Sequence, residues 1–306
     1  MHKKPLFLIK IATSIQRMGR YLLSPVCPKI VSKECYYSTF KRKLNLKKPV
    51  YFNEKLMWLK LYKYANDPLV QLCVDKYKVR EYVMKCGLGH ILNDLYFTYD
   101  KAKKIEWSKL PNRFAIKCNH GCGYNLFCTD KSTFDTRSAT KKLNKWMHSN
   151  SWRLFAEVQY RKTKKRIICE KYIEGKNGSL PVDYKFYCFS GVPIYIGNFI
   201  ERNIEADSIT RGYFDTNWVK SKYYKYDIDE HKFCKPKMLD QMLEYAKVLS
   251  APFPFVRVDF YEIDEKVIFG EMTFTPTGCL GNYYTDSAYK ELGDMIDLTK
   301  VVEKHE

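Results

Sequence analysis

The 306-residue sequence predicts an α+β protein with antiparallel sheets and flanking helices. Helix-period segments are segregated from runs of strand-like segments, and those strands arrive in adjacent pairs joined by short turns. No strand leads through GxGxxG into a helix, which argues against a doubly wound parallel sheet. With 45% hydrophobic and 16% aromatic residues the chain can bury a sizeable core. It has no apolar run of about eighteen residues that would cross a membrane as a helix.

Residues 1–34 form a basic segment. The first 50 residues carry twelve Lys or Arg against a single acid, Glu34, in a chain of net charge +19, and such an excess favours an anionic partner. Leu6, Phe7, Ile9, Ile11, Ile15 and Met18 alternate with Lys10, Arg17 and Arg20. That pattern suits either an amphipathic helix lying on an anionic membrane or a basic helix docked on the domain. Lys10 interrupts the apolar run and no small-residue cleavage site follows, so a removed secretory leader is not expected. Eleven scattered cysteines, an odd number, point to a reducing compartment and a cytoplasmic protein, with peripheral contact at the inner membrane face.

Residues 35–110 read as a helical region. In "FNEKLMWLKLY" Asn53 is the expected N-cap, and Leu56 and Leu59 share a face. Asp67 then Pro68 starts a second helix, and Asp75 caps a third whose Val79, Tyr82, Val83 and Cys86 form a stripe ended by Gly87. Residues 111–175 contain "RFAIKC" and "NLFCTD" flanking a glycine loop, a helix from Asp135 to Met147, and the strand "RIICEKYI". Residues 176–306 contain "DYKFYCF" turning at Ser190 and Gly191 into "PIYIGNFI", the helix "PKMLDQMLEYAKVLS", and a last hairpin of "FVRVDFYE" and "VIFGEMTF".

That hairpin carries the clearest chemistry. Alternation separates Val256, Val258, Phe260, Gly270, Met272 and Phe274 from Arg257, Asp259, Glu271 and Thr273. Placing Asp259 opposite Glu271 calls for an odd loop, such as Asp264 to Lys266. Facing carboxylates, about 5 Å apart at Cβ, repel unless a cation lies between them. Either Mg²⁺, which favours carboxylate oxygens, or Arg257 satisfies that need.

Upstream, "HGCG" after a strand can offer backbone N–H groups to phosphate, with Lys117 adding charge. It is not a P-loop. Glu170 and Lys171 could meet a purine along a free strand edge, and Asp183 and Lys185 share one strand face.

Taken in order, "FNEKLMWLKLY", "DKYKVREYV", "LPNRFAIKCNHGCG", "DYKFYCFSG" and "FPFVRVDFYE…FGEMTFTPTG" resemble the TupA-like branch of the ATP-grasp superfamily over roughly residues 35–295. The resemblance implies a nucleotide held between two α+β subdomains, 111–175 and 176–306. It implies that Lys117 touches the phosphates, that His120, Gly121 and Gly123 belong to the loop over them, and that Glu170, Lys171 and Ile173 form the adenine edge. Asp183 and Lys185 are similar to the element near the γ-phosphate, and Arg257 to a holder of the acyl phosphate. Asp259, Glu271 and Thr273 occupy the positions of the magnesium ligands.

Thr273 departs from the asparagine common there. Asp75, Lys76 and Arg80 also match the branch, without a role beyond helix capping. The implied activity is ATP- and Mg²⁺-dependent joining of a carboxylate to an amine. The branch is associated with capsules, O-antigens and acidic cell-wall polymers, so a sugar or glycan carboxylate and an amino acid or amine are the implied substrates. A glycosyltransferase or phosphotransferase of the same polymers is the enzyme alternative. A basic nucleic-acid-binding protein is the non-enzyme one, argued only from charge and 25 tyrosines.

Overall fold

The computed structural model describes residues 6–175, 178–203 and 208–302, so residues 1–5 of the basic segment lie outside it. Strands β1 (Leu95–Tyr99), β2 (Phe114–Cys118), β3 (Asn125–Cys128) and β4 (Ile167–Lys171) form a four-stranded sheet in the order β1-β4-β2-β3. Strands β5 (Asp183–Phe189), β6 (Val192–Asn203), β7 (Ser208–Asp215), β8 (Phe255–Ile263) and β9 (Lys266–Thr273) form a five-stranded sheet in the order β7-β6-β5-β8-β9. Every strand pairing is antiparallel, as the hairpin-rich sequence predicts.

The helices are α1 (Leu6–Leu23), α2 (Pro28–Phe40), α3 (Phe52–Trp58), α4 (Pro68–Cys73), α5 (Val79–Lys85), α6 (Thr136–His148), α7 (Leu239–Ser250), α8 (Asp286–Asp294) and α9 (Thr299–Val302). Helices α3 to α5, α7 and α8 pack with the five-stranded sheet into the main core. Phe52 shows its construction, lying 5.6 Å, 5.3 Å and 5.6 Å from the rings of Phe189, Phe255 and Tyr284. A smaller core joins α6 through Leu143 to Phe114, Ile116 and Ile167 of the other sheet.

Several local expectations need correction. Asn53 is not the N-cap of α3: Tyr51 is, and Glu54 reaches back to the Tyr51 N–H at 3.2 Å. Asn53 is instead buried inside the helix, donating to the Cys279 carbonyl at 2.7 Å. The α-helix also stops at Trp58 and widens into π-type turns over Leu59–Tyr64, which carry the buried Lys60. The boundary at 110 crosses the four-stranded sheet, because β1 lies before it and pairs with β4. Asp67 does cap α4, but Asp75 is not the N-cap of α5, which is Lys78; Asp75 Oδ1 instead accepts from Tyr77 N at 2.9 Å in the turn before that helix. All eleven cysteines are free thiols.

Helix α1 docks in an unusual sense. Gln16 and Arg20 reach Glu34 on α2 at 2.5 Å and 2.6 Å, and Ser24 donates to the Arg153 carbonyl at 2.5 Å. These positions repeat every four residues, so they form one stripe. Ile15, Met18 and Leu22, on the opposite side, are about 60% exposed. The polar stripe faces the protein and the apolar stripe faces out.

Candidate active site

Backbone register builds the site. In the five-stranded sheet Lys185 of β5 pairs with Asp259 of β8, and Asp259 with Glu271 of β9, so three charges form one row across three strands. The next row holds Tyr187, Arg257 and Thr273. The odd residue that puts Asp259 opposite Glu271 is not in the loop. The loop has only Asp264 and Glu265, at φ 50° and 57°, and the extra residue is Gly270, bulged between Glu271 and the Phe269 that pairs with Phe260. A Cβ on Gly270 would lie 2.9 Å from the Asp259 carbonyl oxygen, so glycine permits the bulge.

The charges then neutralise one another. Lys185 Nζ lies 2.6 Å from Asp183 and 2.7 Å from Asp259. Arg257 holds Asp259 by two bonds of 2.6 Å and reaches Glu271 and Thr273 at 3.0 Å each. Lys76, from the turn before α5, pairs with Glu271. Three carboxylates thus meet three cations. Burial opposes ionisation of Glu271, but Lys76, then Arg257 and Lys185, hold its carboxyl well below the usual range. Burial likewise works against the Lys76 charge, and Glu271 more than reverses it, raising the ammonium above its ordinary value. Lys76 is the charged residue whose role the sequence conceals, because its partner is 195 residues away.

Across from this network, Lys117 of β2 projects to Glu170 of β4 at 2.6 Å, with Arg80 4.0 Å beyond. These side chains line a cavity of about 120 Å³ between the sheets, walled by Ala115, Phe127, Ile173 and Leu180 on one side and by Tyr261 and Phe269 on the other. Lys171 does not supply the free edge expected of it. β4 is an interior strand, and the Lys171 N–H and carbonyl are taken by Asp94 and Asn93, both at 2.9 Å. Ile173 lies past the sheet, lines the cavity, and its backbone has no hydrogen-bond partner among the described residues.

The glycine loop joins β2 and β3. A Cβ on Gly121 would come within 2.5 Å of the Tyr124 ring, so this position accepts only glycine without movement of that ring. Gly123 sits at φ 74°. The His120 side chain is not offered to a phosphate: it is buried and bonded to the Trp146 carbonyl at 3.0 Å. Burial lowers its pKa. His120, Gly121 and Cys122 all help to line a second cavity, of about 320 Å³, which Lys76 shares with the first and which Arg257, Glu271 and Thr273 floor.

A sheet face of carboxylates and basic side chains, opening on two cavities, one lined by Lys117 and Glu170 and the other, more apolar, by the glycine loop, is suited to binding and activating a phosphorylated ligand. The family described as TupA-like ATPgrasp matches residues 54–297. The chain belongs to this family. It is accordingly an ATP-dependent ligase of the carboxylate–amine class.

No curated protein matches it. Among solved structures it is similar to D-alanine–D-alanine ligase from Bacillus anthracis complexed with ATP, at 15% identity and TM-score 0.44, over 77% of this chain and 69% of that one. It is also similar to the D-cycloserine synthetase DcsG, at 13% identity and TM-score 0.43, over 76% of this chain and 72% of that one. The ADP complex of purK, an N5-carboxyaminoimidazole ribonucleotide synthetase, matches at 12% identity and TM-score 0.44, over 72% of this chain and 50% of that one.

Proposed function

We propose that the protein ligates an amino acid or other amine to the carboxylate of an anionic sugar or glycan, in making or decorating a capsular, O-antigen or cell-wall polysaccharide. A substrate carboxylate oxygen attacks the ATP γ-phosphorus, the bond to the β–γ bridging oxygen breaks, and ADP leaves. The amine then attacks the acyl carbon and expels phosphate. The observation that carries this assignment is the row of Lys185, Asp259 and Glu271 with Arg257 and Lys76 beside it.

Within it, Ile173 offers its free backbone to the adenine, and Lys117 turns from Glu170 to a phosphate. Lys171 flanks that adenine edge, and Asp183 keeps Lys185 aimed at the γ-phosphate. Gly121 and Gly123 let the loop that includes His120 come close to the phosphates. Arg257 holds the acyl phosphate. The subdomains on either side are 111–175, with β1 added to its sheet, and 176–306, with the rest of 35–110 on the substrate side.

The donor set fits Mg²⁺. Asp259, Glu271 and the Thr273 hydroxyl supply hard oxygen ligands, and the Glu271 side chain is 35% exposed beside the second cavity. When bound, Mg²⁺ neutralises phosphate charge and polarises the transferring group. Binding of a metal nucleotide is a charge-for-charge exchange: the carboxylates give up cations to the phosphates and take the metal in return. Membership of the ATP-grasp family favours ligation over the glycosyltransferase, phosphotransferase and nucleic-acid-binding alternatives.

Thermal shift with Mg²⁺ and ATP tests the site in wild type, Lys117→Ala and Asp259→Asn. A nucleotide at about 100 times its Kd adds roughly 2.7 kcal/mol. Metal-dependent stabilisation of the wild type, lost in both folded variants, is expected. No shift at millimolar nucleotide would refute the assignment.

The outward apolar stripe of α1 supports a second contact, with the inner face of an anionic membrane. Ile15, Met18 and Leu22 face out beside the exposed Arg17, Lys29 and Lys33. The eleven free thiols suit a cytoplasmic enzyme at that face. Sedimentation with phosphatidylglycerol vesicles should exceed that with phosphatidylcholine vesicles, and Met18→Glu should abolish the difference. Equal sedimentation with both lipids would refute the contact.

A further inference from the structure

The cavity beside the glycine loop holds a carboxylate that the ligase assignment has not used. Glu157 lies after the short helical turn Ser151–Leu154, on the cavity wall that also carries Tyr160 and Thr275. Its Oε1 accepts from the Thr275 hydroxyl at 2.6 Å. Its other oxygen has no hydrogen-bond partner among the described residues. The buried ammonium nearby, Lys60, is spent on the Phe155 carbonyl at 2.8 Å.

Glu157 is half-buried on a largely apolar cavity, and a cationic ligand would pair the oxygen that no described residue bonds. Lys76 and Arg257 line the same cavity, beside the Glu271 that pairs with both. The cavity therefore brings Glu157 together with residues assigned to phosphate transfer.

Resting on the ligase assignment above, we infer that Glu157 binds the ammonium group of the amine substrate and orients it toward the acyl phosphate held by Arg257. The class of ligand is a primary amine, whose compact ammonium carries three donors for Glu157 and can lie against the aromatic Tyr160. Burial raises the Glu157 pKa, against the Thr275 bond and the Lys60 charge, which suits the proton transfer that must follow. The ammonium passes one proton to the Glu157 carboxylate, leaving a neutral amine with a lone pair. That lone pair forms the C–N bond as the acyl C–O bond breaks, and the second nitrogen proton leaves with phosphate.

The test is a titration of the full chain, with Mg²⁺ and ADP present, against the common amino acids, ethanolamine and glucosamine, each beside its N-acetyl form. At least one amine should stabilise the wild type while its N-acetyl form does not. Glu157→Gln should raise that Kd about tenfold or more, the scale of a lost charge-assisted hydrogen bond, while keeping the wild-type response to Mg²⁺ and ATP. Glu157→Asp keeps the charge and should retain binding that Glu157→Gln loses.

The inference is overturned if no amine stabilises a wild type that responds to Mg²⁺ and ATP, or if Glu157→Gln binds amines as the wild type does. Equal loss in the Asp and Gln variants would overturn it as well. A wild type that fails to respond to Mg²⁺ and ATP removes the ligase assignment, and this inference with it.

Discussion

The two sheets prepare their charged side chains in opposite ways. The four-stranded sheet joins Lys117 to Glu170 at 2.6 Å, with Arg80 no closer than 4.0 Å, and the Lys117 side chain remains 25% exposed. The five-stranded sheet locks Asp259, at 1% exposure, between Lys185 and both ends of the Arg257 fork. A charge with one partner and access to water can be handed to a ligand at small cost. A buried charge with three bonds is part of the architecture, and removing it strands its partners. The sheets thus divide between a charge that is cheap to exchange and one that must be replaced, charge for charge, when a ligand takes it.

The largest expected effect tests that division directly. Asp259→Ala should destabilise the fold by about 3–5 kcal/mol, because it leaves two buried cations with too few partners. Lys117→Ala should cost about 1 kcal/mol or less, its pair being partly solvated. Urea denaturation of both variants measures the contrast, and equal losses would erase it.

Next in size, Gly270→Ala should cost about 1–3 kcal/mol, since the added methyl meets the Asp259 backbone at the bulge. If the bulge sets the charged row, this variant should also lose its stabilisation by Mg²⁺ and ATP. A folded Gly270→Ala protein with the wild-type nucleotide response would show that the row tolerates a change of register.

The smallest effect concerns pH on the other sheet. Burial holds the His120 pKa below its ordinary value, against the pull of the Trp146 carbonyl. Its contribution to stability is therefore complete above the unfolded value, near pH 6.5, and fades as pH falls below it. Between pH 7.5 and pH 5.5, wild-type Tm should fall by a few degrees more than that of a folded His120→Gln variant. Parallel curves would show that His120 titrates as it does in the unfolded chain.

Much of this architecture was legible because it is local. Alternation along β8 and β9 separates the charged face from the apolar one, and turn residues locate four of the hairpin strands, β5, β6, β8 and β9. The route to that register was not legible. The loop is two residues long and Gly270 supplies the odd step, and a bulge looks like any other glycine in a strand. Strands β1 and β7 went unassigned; both lie at sheet edges, as do β3 and β9, which the turns of their hairpins gave away. Asn53 and Lys76 fall into a third group, because their partners are 226 and 195 residues away, beyond any local pattern. The family resemblance pointed to Lys76, and only the packed structure shows what it meets.

The bond from Asn53 to Cys279, with that from Lys55 to the Ile296 carbonyl 241 residues on, has a consequence for synthesis. Helix α3 leaves the ribosome long before the residues that cover it. At about 5–20 residues per second it waits roughly ten to fifty seconds with Phe52, Leu56 and Met57 unsheltered. The nascent chain is therefore a client for a chaperone throughout that interval. A polypeptide released before α8 has emerged would expose the face that the mature enzyme buries most completely.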